Sequence, residues 1–299
     1  MKDAIADMFA NRVRKNARHL AKWARRTAVT CWRVYDRDIP EVPVTLDTYA
    51  GALVLNDYRL EQDDDAWLDA VVAAARAALE GAELFVKQRE RRRGRAQYDK
   101  LAGEAAWRVV TEGGHRFRVN LSDYVDTGLF LDHRVTRARV AGEGGASLLN
   151  LFAYTGAFSV YAAAAGAKTT SVDLSKTYLD WAHENLALNR LTGELVHADV
   201  RAFLAEARRA RRRWDVAIVD APTFSNSKRA DHDWDVQRDH AALVDAVRAV
   251  TGRVVWLATN RKRFKLEAPG FTDETTATTP PDFRHRPHFA FRSERATHA

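Results

Sequence analysis

Ser147–Ser175 reads SLLNLFAYTGAFSVYAAAAGAKTTSVDLS, and its order of strand, tight turn, helix and strand makes one βαβ unit. Leu148–Phe152 is a short apolar run that suits a strand buried on both faces of a parallel sheet. The turn Ala153-Tyr154-Thr155-Gly156 carries one glycine, expected where backbone must approach a ligand closely, and Phe158–Ala167 supplies an Ala-rich helix able to pack tightly on the sheet. Thr169–Asp173 is the second strand, and it ends in a carboxylate. In a nucleoside-binding βαβ unit, an acid at that tip, roughly 20 residues past the glycine, accepts both ribose hydroxyls.

The turn discriminates between nucleosides. A dinucleotide pyrophosphate needs a G-x-G-x-x-G turn with bare amides facing the phosphates, whereas this turn has one glycine and a bulky Tyr154. S-adenosylmethionine carries adenosine without phosphate, and its sulfonium is a cation that favours acids at strand ends. Asp173, Asp199 after LVHA and Asp220 after VAIV supply such acids at three successive strand ends. The plainer reading is that strand-ending Asp residues are turn formers.

Working outward, Ala146 onward repeats the βα pattern, with strands expected at 147–152, 169–173, 194–198, 215–219 and 253–258, which makes a doubly wound, mostly parallel α/β sheet. Weak strand signals at Phe271–Thr278 and His288–Arg292 are expected to close it as an antiparallel pair. Ser122–Arg134 reads as a linker strand entering a helix at Val135. Upstream, Ala4–Arg26 is a basic amphipathic helix, or two, able to lie on RNA or simply to be solvated. Short strands follow at Thr30–Arg37, Val42–Leu46 and Ala52–Tyr58, then a helix at Trp67–Leu79 and a hairpin at Ala106–Asn120 turning on Gly113-Gly114. The expected division is a smaller α+β domain over 1–121 and a Rossmann-like domain over 122–299.

The 299 residues carry a net charge of +7 and a pI near 9.6, which point to a polyanionic partner. Arg89, Arg91, Arg92, Arg93 and Arg95 crowd around Gly94 with Tyr98 nearby. Guanidinium forks suit phosphate and an aromatic ring suits base stacking, so this is the expected RNA-binding segment; the alternative is a charged, solvated loop. Arg208–Arg213 reads instead as cations at a helix C-terminus. The single cysteine, Cys31, excludes an internal disulfide and a Cys-rich metal site, so no metal is expected, and a cytoplasmic location is. No apolar run reaches the roughly 18 residues of a membrane span, and the first residues lack a signal-peptide core.

LLNLFAYTGAFSVYAAAAGA, VDLSKTYLDWAHENLALN, DAPTFSNSKR, DVQRDH, VDTGLFLDHR and NRVRKNARHLAKWA together resemble the C-terminal, RlmK-type half of the bifunctional large-subunit ribosomal RNA guanine methyltransferases, from about Asn11 to about His288. The resemblance implies a class I S-adenosylmethionine-dependent enzyme acting at N7 of a guanine in 23S ribosomal RNA. It also implies that the half with the THUMP domain and the N2-guanine activity lies elsewhere, for instance on a separate protein. The cofactor site so expected takes in Phe130, Arg134, Asn150, Phe152, Tyr154, Thr155, Gly156, Asp173, Leu174, Asp199, Val200 and Asp220. The catalytic group is Asp220, Pro222 and Phe224. Ala221 departs from the family-like Asp-Pro-Pro-Thr-Phe and is expected to loosen that loop slightly, and the final residues are more polar than the family's.

The chemistry follows from the target atom. N7 holds an in-plane lone pair and no proton, so transfer needs no general base and positioning is most of the catalysis. Thr223 stands where an exocyclic-amine enzyme of the Asn/Asp-Pro-Pro-Tyr type has tyrosine, and Cys31 lies outside the βα repeats, which removes the cysteine nucleophile of a cytosine-C5 enzyme. Asp220 is expected to offset the charge of the product and Phe224 to stack on the base; a core-packed Phe224 is the alternative. Side chains cannot reach N7 in A-form RNA, so the guanine must be unpaired or flipped out. Three other readings stay open: an exocyclic-amine RNA methyltransferase, an inactive methyltransferase fold that binds RNA or assists ribosome assembly, and a nicotinamide-dependent oxidoreductase.

Overall fold

The computed structural model describes residues 2–59, 65–80, 82–88, 106–225 and 233–294. They form two compact units, Met1–Leu131 with Pro281–His285, and Asp132–Pro280 with Arg286–Ala299.

In the first unit α1 (Lys2–Arg26) is one continuous helix. It is followed by β1 (Cys31–Asp36), β2 (Val44–Tyr49), β3 (Ala52–Asp57), α2 (Asp65–Ala78) and β4 (Leu84–Gln88). The strands form a sheet in the order β1-β2-β3-β4, antiparallel except for β3 and β4, which α2 joins as a parallel crossover. Phe9 and Val13 of α1 pack with Val34, Leu46, Leu55 and Val71 in its core. A hairpin, β5 (Trp107–Glu112) and β6 (His115–Asn120), turns on Gly113 and Gly114, both at positive φ, as a two-residue turn matched to strand twist requires.

The segment from 121 to 131 is not the expected linker strand. It is a series of bends whose polar groups are met within the first unit: Asn120 N–H donates to Thr127 O, Tyr49 Oη lies 2.9 Å from Thr127 Oγ1, and Lys87 Nζ donates to Tyr124 O. Asn120 Oδ1 accepts from the backbone N–H groups of Ser122 and Asp123, a local competition with strand pairing. Pro281–His285 returns to the same unit because Arg284 and His285 N–H donate to Asp36 Oδ2 and Arg33 N–H to Asp282 Oδ2.

The second unit opens with a 3-10 turn at Leu131–His133 and α3 (Arg134–Gly142). The βα repeat then runs β7 (Ser147–Leu151), α4 (Ala157–Ala164), β8 (Lys168–Asp173), α5 (Lys176–Leu188), β9 (Glu194–His197), α6 (Val200–Arg209) and β10 (Trp214–Asp220). After β11 (Phe224–Ser225) and β12 (Trp234–Asp235) come α7 (Val236–Val250), β13 (Thr251–Thr259), β14 (Thr272–Asp273), α8 (Thr275–Thr278) and β15 (Phe289–Glu294). The sheet order is β14-β15-β13-β10-β7-β8-β9, and β13 through β9 are parallel. Chain order reverses between β7 and β10, the topological switch point at which such sheets bind ligands. Side-chain alternation fills both faces: Leu149, Leu151, Ala217 and Val219 meet α6 and α7, while Leu148, Val216 and Ile218 meet α3 and α4. That double burial explains why the strands read as continuous apolar runs.

The tail closes the sheet antiparallel through β14 and β15, but Phe271–Thr278 is not one strand. Asp273 Oδ1 accepts from Thr275 N–H, and the hydroxyls of Thr278 and Thr279 donate back to Glu274 and Thr275 carbonyls, so a helical turn replaces its second half.

Candidate active site

Because β10, β7, β8 and β9 are adjacent and parallel, Asp220, Asp173 and Asp199 come to the same, C-terminal edge of the sheet. The turn after β7 is tightly wound, with Phe152, Tyr154 and Gly156 at φ 57°, 49° and 74°. Its amides are spent internally: Ala153 N–H donates to Val172 O, Gly156 N–H to Ala153 O, and Tyr154 N–H to Asp173 Oδ2. A turn so committed offers no amide cradle to a pyrophosphate. Asp173 Oδ1 accepts from Ser175 N–H, and the Leu174 backbone N–H also hydrogen-bonds to the carboxylate. Burial pushes the Asp173 carboxyl above the usual range, opposed by those N–H donors.

Gly156 has a packing role. A Cβ there would lie 2.8 Å from Ala182 Cβ on α5, so the missing side chain lets two helices approach. Thr155 is buried and its carbonyl accepts from Asn185 Nδ2. Asn150 is buried inside β7, with Nδ2 donating to Ser159 Oγ, which lies 2.7 Å from Ser171 Oγ; Asn150 Oδ1 has no hydrogen-bond partner among the described residues. Asp199 caps α6, its Oδ1 accepting from Arg201 and Ala202 N–H, and Val200 is buried beneath. Leu174 is partly buried and its carbonyl lies 3.0 Å from His197 Nε2.

The loop after β10 is held at each residue. Ala221 N–H donates to Ala258 O at 3.0 Å, a bond proline cannot make, so the loop has exchanged ring stiffness for one more rung between β10 and β13. The carbonyl of Pro222 accepts from Trp234 Nε1, and Thr223 Oγ1 donates to Asn260 Oδ1. Phe224 is 58% exposed, pairs with Asp235 across β11 and β12, and has the Arg261 guanidinium 5.4 Å from its ring centroid. The core-packed alternative for Phe224 therefore fails.

One network was hidden in the sequence because its members are far apart in it. His133 Nε2 lies 3.5 Å from Asp220 Oδ1, and the His133 ring stacks on His288 at 4.2 Å. His288 Nδ1 lies 3.1 Å from Asp132 Oδ2, and its Nε2 lies 3.4 Å from Thr136 and Thr278 hydroxyls. Burial pushes the His133 imidazole below its usual range; the Asp220 and Asp132 carboxylates oppose this, while His288 and Arg137 add to it. Asp132, His133 and His288 have the donor types of a metal site, with ligand atoms within 4.8 Å of one another.

Of the remaining expected residues, Arg134 is buried at the start of α3, and Phe152 is partly buried with its ring centroid 5.6 Å from that of Trp234. Phe130 belongs to the first unit and is 38% exposed. Arg89, Arg91, Arg92, Arg93, Arg95 and Tyr98 lie outside the described residues.

A family model described as S-adenosylmethionine-dependent methyltransferase matches residues 51–254. The chain belongs to that family. S-adenosylmethionine is accordingly the cofactor of this methyltransferase, in keeping with a turn without a phosphate cradle. The chain is 43% identical to ribosomal RNA large subunit methyltransferase K/L of Stutzerimonas stutzeri over 94% of its own length and 41% of the relative's. It thus spans about two fifths of the curated relatives it matches. Among solved structures, a chain from Streptococcus mutans described as a SAM-dependent methyltransferase has a TM-score of 0.79 at 23% identity, covering 97% of this chain and 81% of that one. SMU.776, a methyltransferase solved with SAH, has a TM-score of 0.77 at 24% identity, covering 97% and 82%. At these identities the likeness concerns the fold. No described helix is long and apolar enough to cross a membrane.

Proposed function

We propose that this chain methylates large-subunit ribosomal RNA at N7 of an unpaired or flipped-out guanine. The observation that carries the reading is the β10 loop: an exposed Phe224 beside a strand-end carboxylate, with Thr223 committed to Asn260 and no tyrosine in its place. The cofactor supplies a methyl group on a cationic sulfur. The residues proposed to hold it are Asp173 for the ribose, the Asp199-Val200 backbone for the adenine edge, and Phe152, Tyr154, Thr155 and Leu174 around it. Phe224 would stack on the guanine and Pro222 would shape the turn beneath it. Asp220 would sit against the positive charge that the base acquires, with His133 holding that carboxylate from behind. No proton has to be removed, so alignment of the lone pair is the task left to the protein.

The ribosomal substrate is supported by the names of the relatives, and the N7 position by the absence of an amine-methylating tyrosine. An inactive fold is the weaker reading, since the departure at Ala221 is met by a backbone bond. A cytoplasmic location and a partner carrying the N2-guanine half are parts of the same proposal; co-purification with the tagged chain tests the second. The deciding experiment is mapping of modified guanines in 23S ribosomal RNA from cells with and without the gene, together with transfer to unmodified RNA by the purified chain. Loss of a 7-methylguanine in the deletion is the expected result, and methylation on an exocyclic nitrogen would overturn the N7 assignment.

A further inference from the structure

The exposed side of α1 is used by neither the cofactor site nor the β10 loop, yet it has an unusual charge pattern. Residues 8–26 contain Arg12, Arg14, Lys15, Arg18, Lys22, Arg25 and Arg26 and no acid. Asn11, Arg14, Lys15, Arg18, His19, Lys22, Arg25 and Arg26 are all exposed. At 3.6 residues per turn these positions fall within an arc of about 140°, a stripe about 18 Å long from Arg14 to Arg26. The opposite side is buried, through Phe9, Val13, Leu20 and Ala24.

A face that serves solubility interleaves both signs and ties them in i,i+4 pairs. Here Arg14, Lys15, Arg18, Lys22, Arg25 and Arg26 are paired with no carboxylate among the described residues, and Arg14, Arg18, Lys22 and Arg26 repel one another at successive i,i+4 spacings. The helix dipole accounts for Arg25 and Arg26 alone. A membrane surface is a poor occupant, because the apolar face that would enter it is already in the core. An acidic protein is also disfavoured: between Asn11 and Arg26 no large apolar side chain is exposed to anchor a protein interface. A row of like charges on a rigid rod matches the phosphates of a nucleic acid backbone.

We infer that Arg14, Lys15, Arg18, Lys22 and Arg26 on α1 form a phosphate-binding surface for the RNA substrate, an inference that rests on the ribosomal RNA reading above and adds the surface that holds it. The test is binding of in vitro transcribed 23S ribosomal RNA across a salt series. It compares the full chain with a variant carrying Arg14→Gln, Lys15→Gln, Arg18→Gln and Lys22→Gln, with S-adenosylmethionine affinity and the melting curve measured in parallel. Each cation withdrawn from a phosphate lowers the log-log salt slope by about 0.7 to 0.9, so the expected drop is about 3. Cofactor affinity and fold should be unchanged, and Arg14→Lys with Arg18→Lys should keep the slope because charge alone is being read. An unchanged slope in the glutamine variant, or no RNA binding by the full chain, overturns the surface. A slope that falls as expected, with no guanine of 23S RNA methylated by the full chain, leaves the surface standing and removes the methylation reading.

Discussion

Asp173 is the carboxylate proposed to hold the ribose of the cofactor. Backbone N–H groups of Tyr154, Ser175 and Leu174 fix its orientation, so its remaining acceptor capacity is held in one direction. Asp173→Ala should weaken S-adenosylmethionine binding by tenfold to a hundredfold, since charge-assisted hydrogen bonds contribute about 1.5–3 kcal/mol; unchanged calorimetric affinity would remove the ribose assignment. Burial raises the pKa of this carboxyl, and the protonated form has less acceptor capacity. Cofactor affinity should therefore fall on acidification at a pH above the ordinary carboxylate range, and the Asp173→Asn variant should lack that limb. Asp173 stands out in the sequence because the acid ends a strand at the expected distance from a glycine. The contacts of His288 with His133 and Asp132 could not be read there, since only the tertiary fold brings positions about 155 apart together.

The turn after β7 and the start of α6 each carry a packing or capping role beside the cofactor role proposed for them. A lone glycine after a strand suggests close approach by a ligand, and its missing Cβ also makes room for α5. Gly156→Ala should cost about 1–2 kcal/mol for the left-handed backbone and a further 1–3 kcal/mol for overpacking against Ala182, seen as a lowered denaturant midpoint with or without cofactor. Asp199 has two roles to separate. Its carboxylate caps α6, so Asp199→Ala should lose about 0.5–2 kcal/mol of stability, whereas Asp199→Asn or Asp199→Ser should restore most of it by capping equally well. If cofactor affinity follows the cap across these variants, the neighbouring backbone reads the adenine; if it falls in all three, the carboxylate does. Helix and strand order in the βα repeat was legible throughout, because strands buried on both faces alternate with amphipathic helices. The linker and the second half of Phe271–Thr278 were not, because the amide of Asn120, the carboxylate of Asp273 and the hydroxyl of Thr278 bond to nearby backbone and divert it from strand pairing.

Two acid responses meet in the molecule as a whole, and they arise from different groups. His133 is buried beside Asp220, Asp132, His288 and Arg137, and its pKa is lowered in the fold. Between that lowered value and about 6.5 the unfolded chain binds more protons than the native one, so stability from this group is present above about pH 6.5 and is lost as pH falls through the folded pKa. The melting temperature should drop on acidification below pH 6.5, and less so in His133→Gln, whose amide does not titrate. Methyl transfer should not share this dependence. A lone pair at N7 needs no base, so single-turnover transfer at saturating cofactor should stay nearly flat from about pH 6 to 8.5 in both proteins, once the folded fraction is accounted for. A sloping acid limb in the folded population that persists in His133→Gln would mean that a proton leaves the base during transfer. An exocyclic nitrogen would then be the target, and Asp220 would be its base.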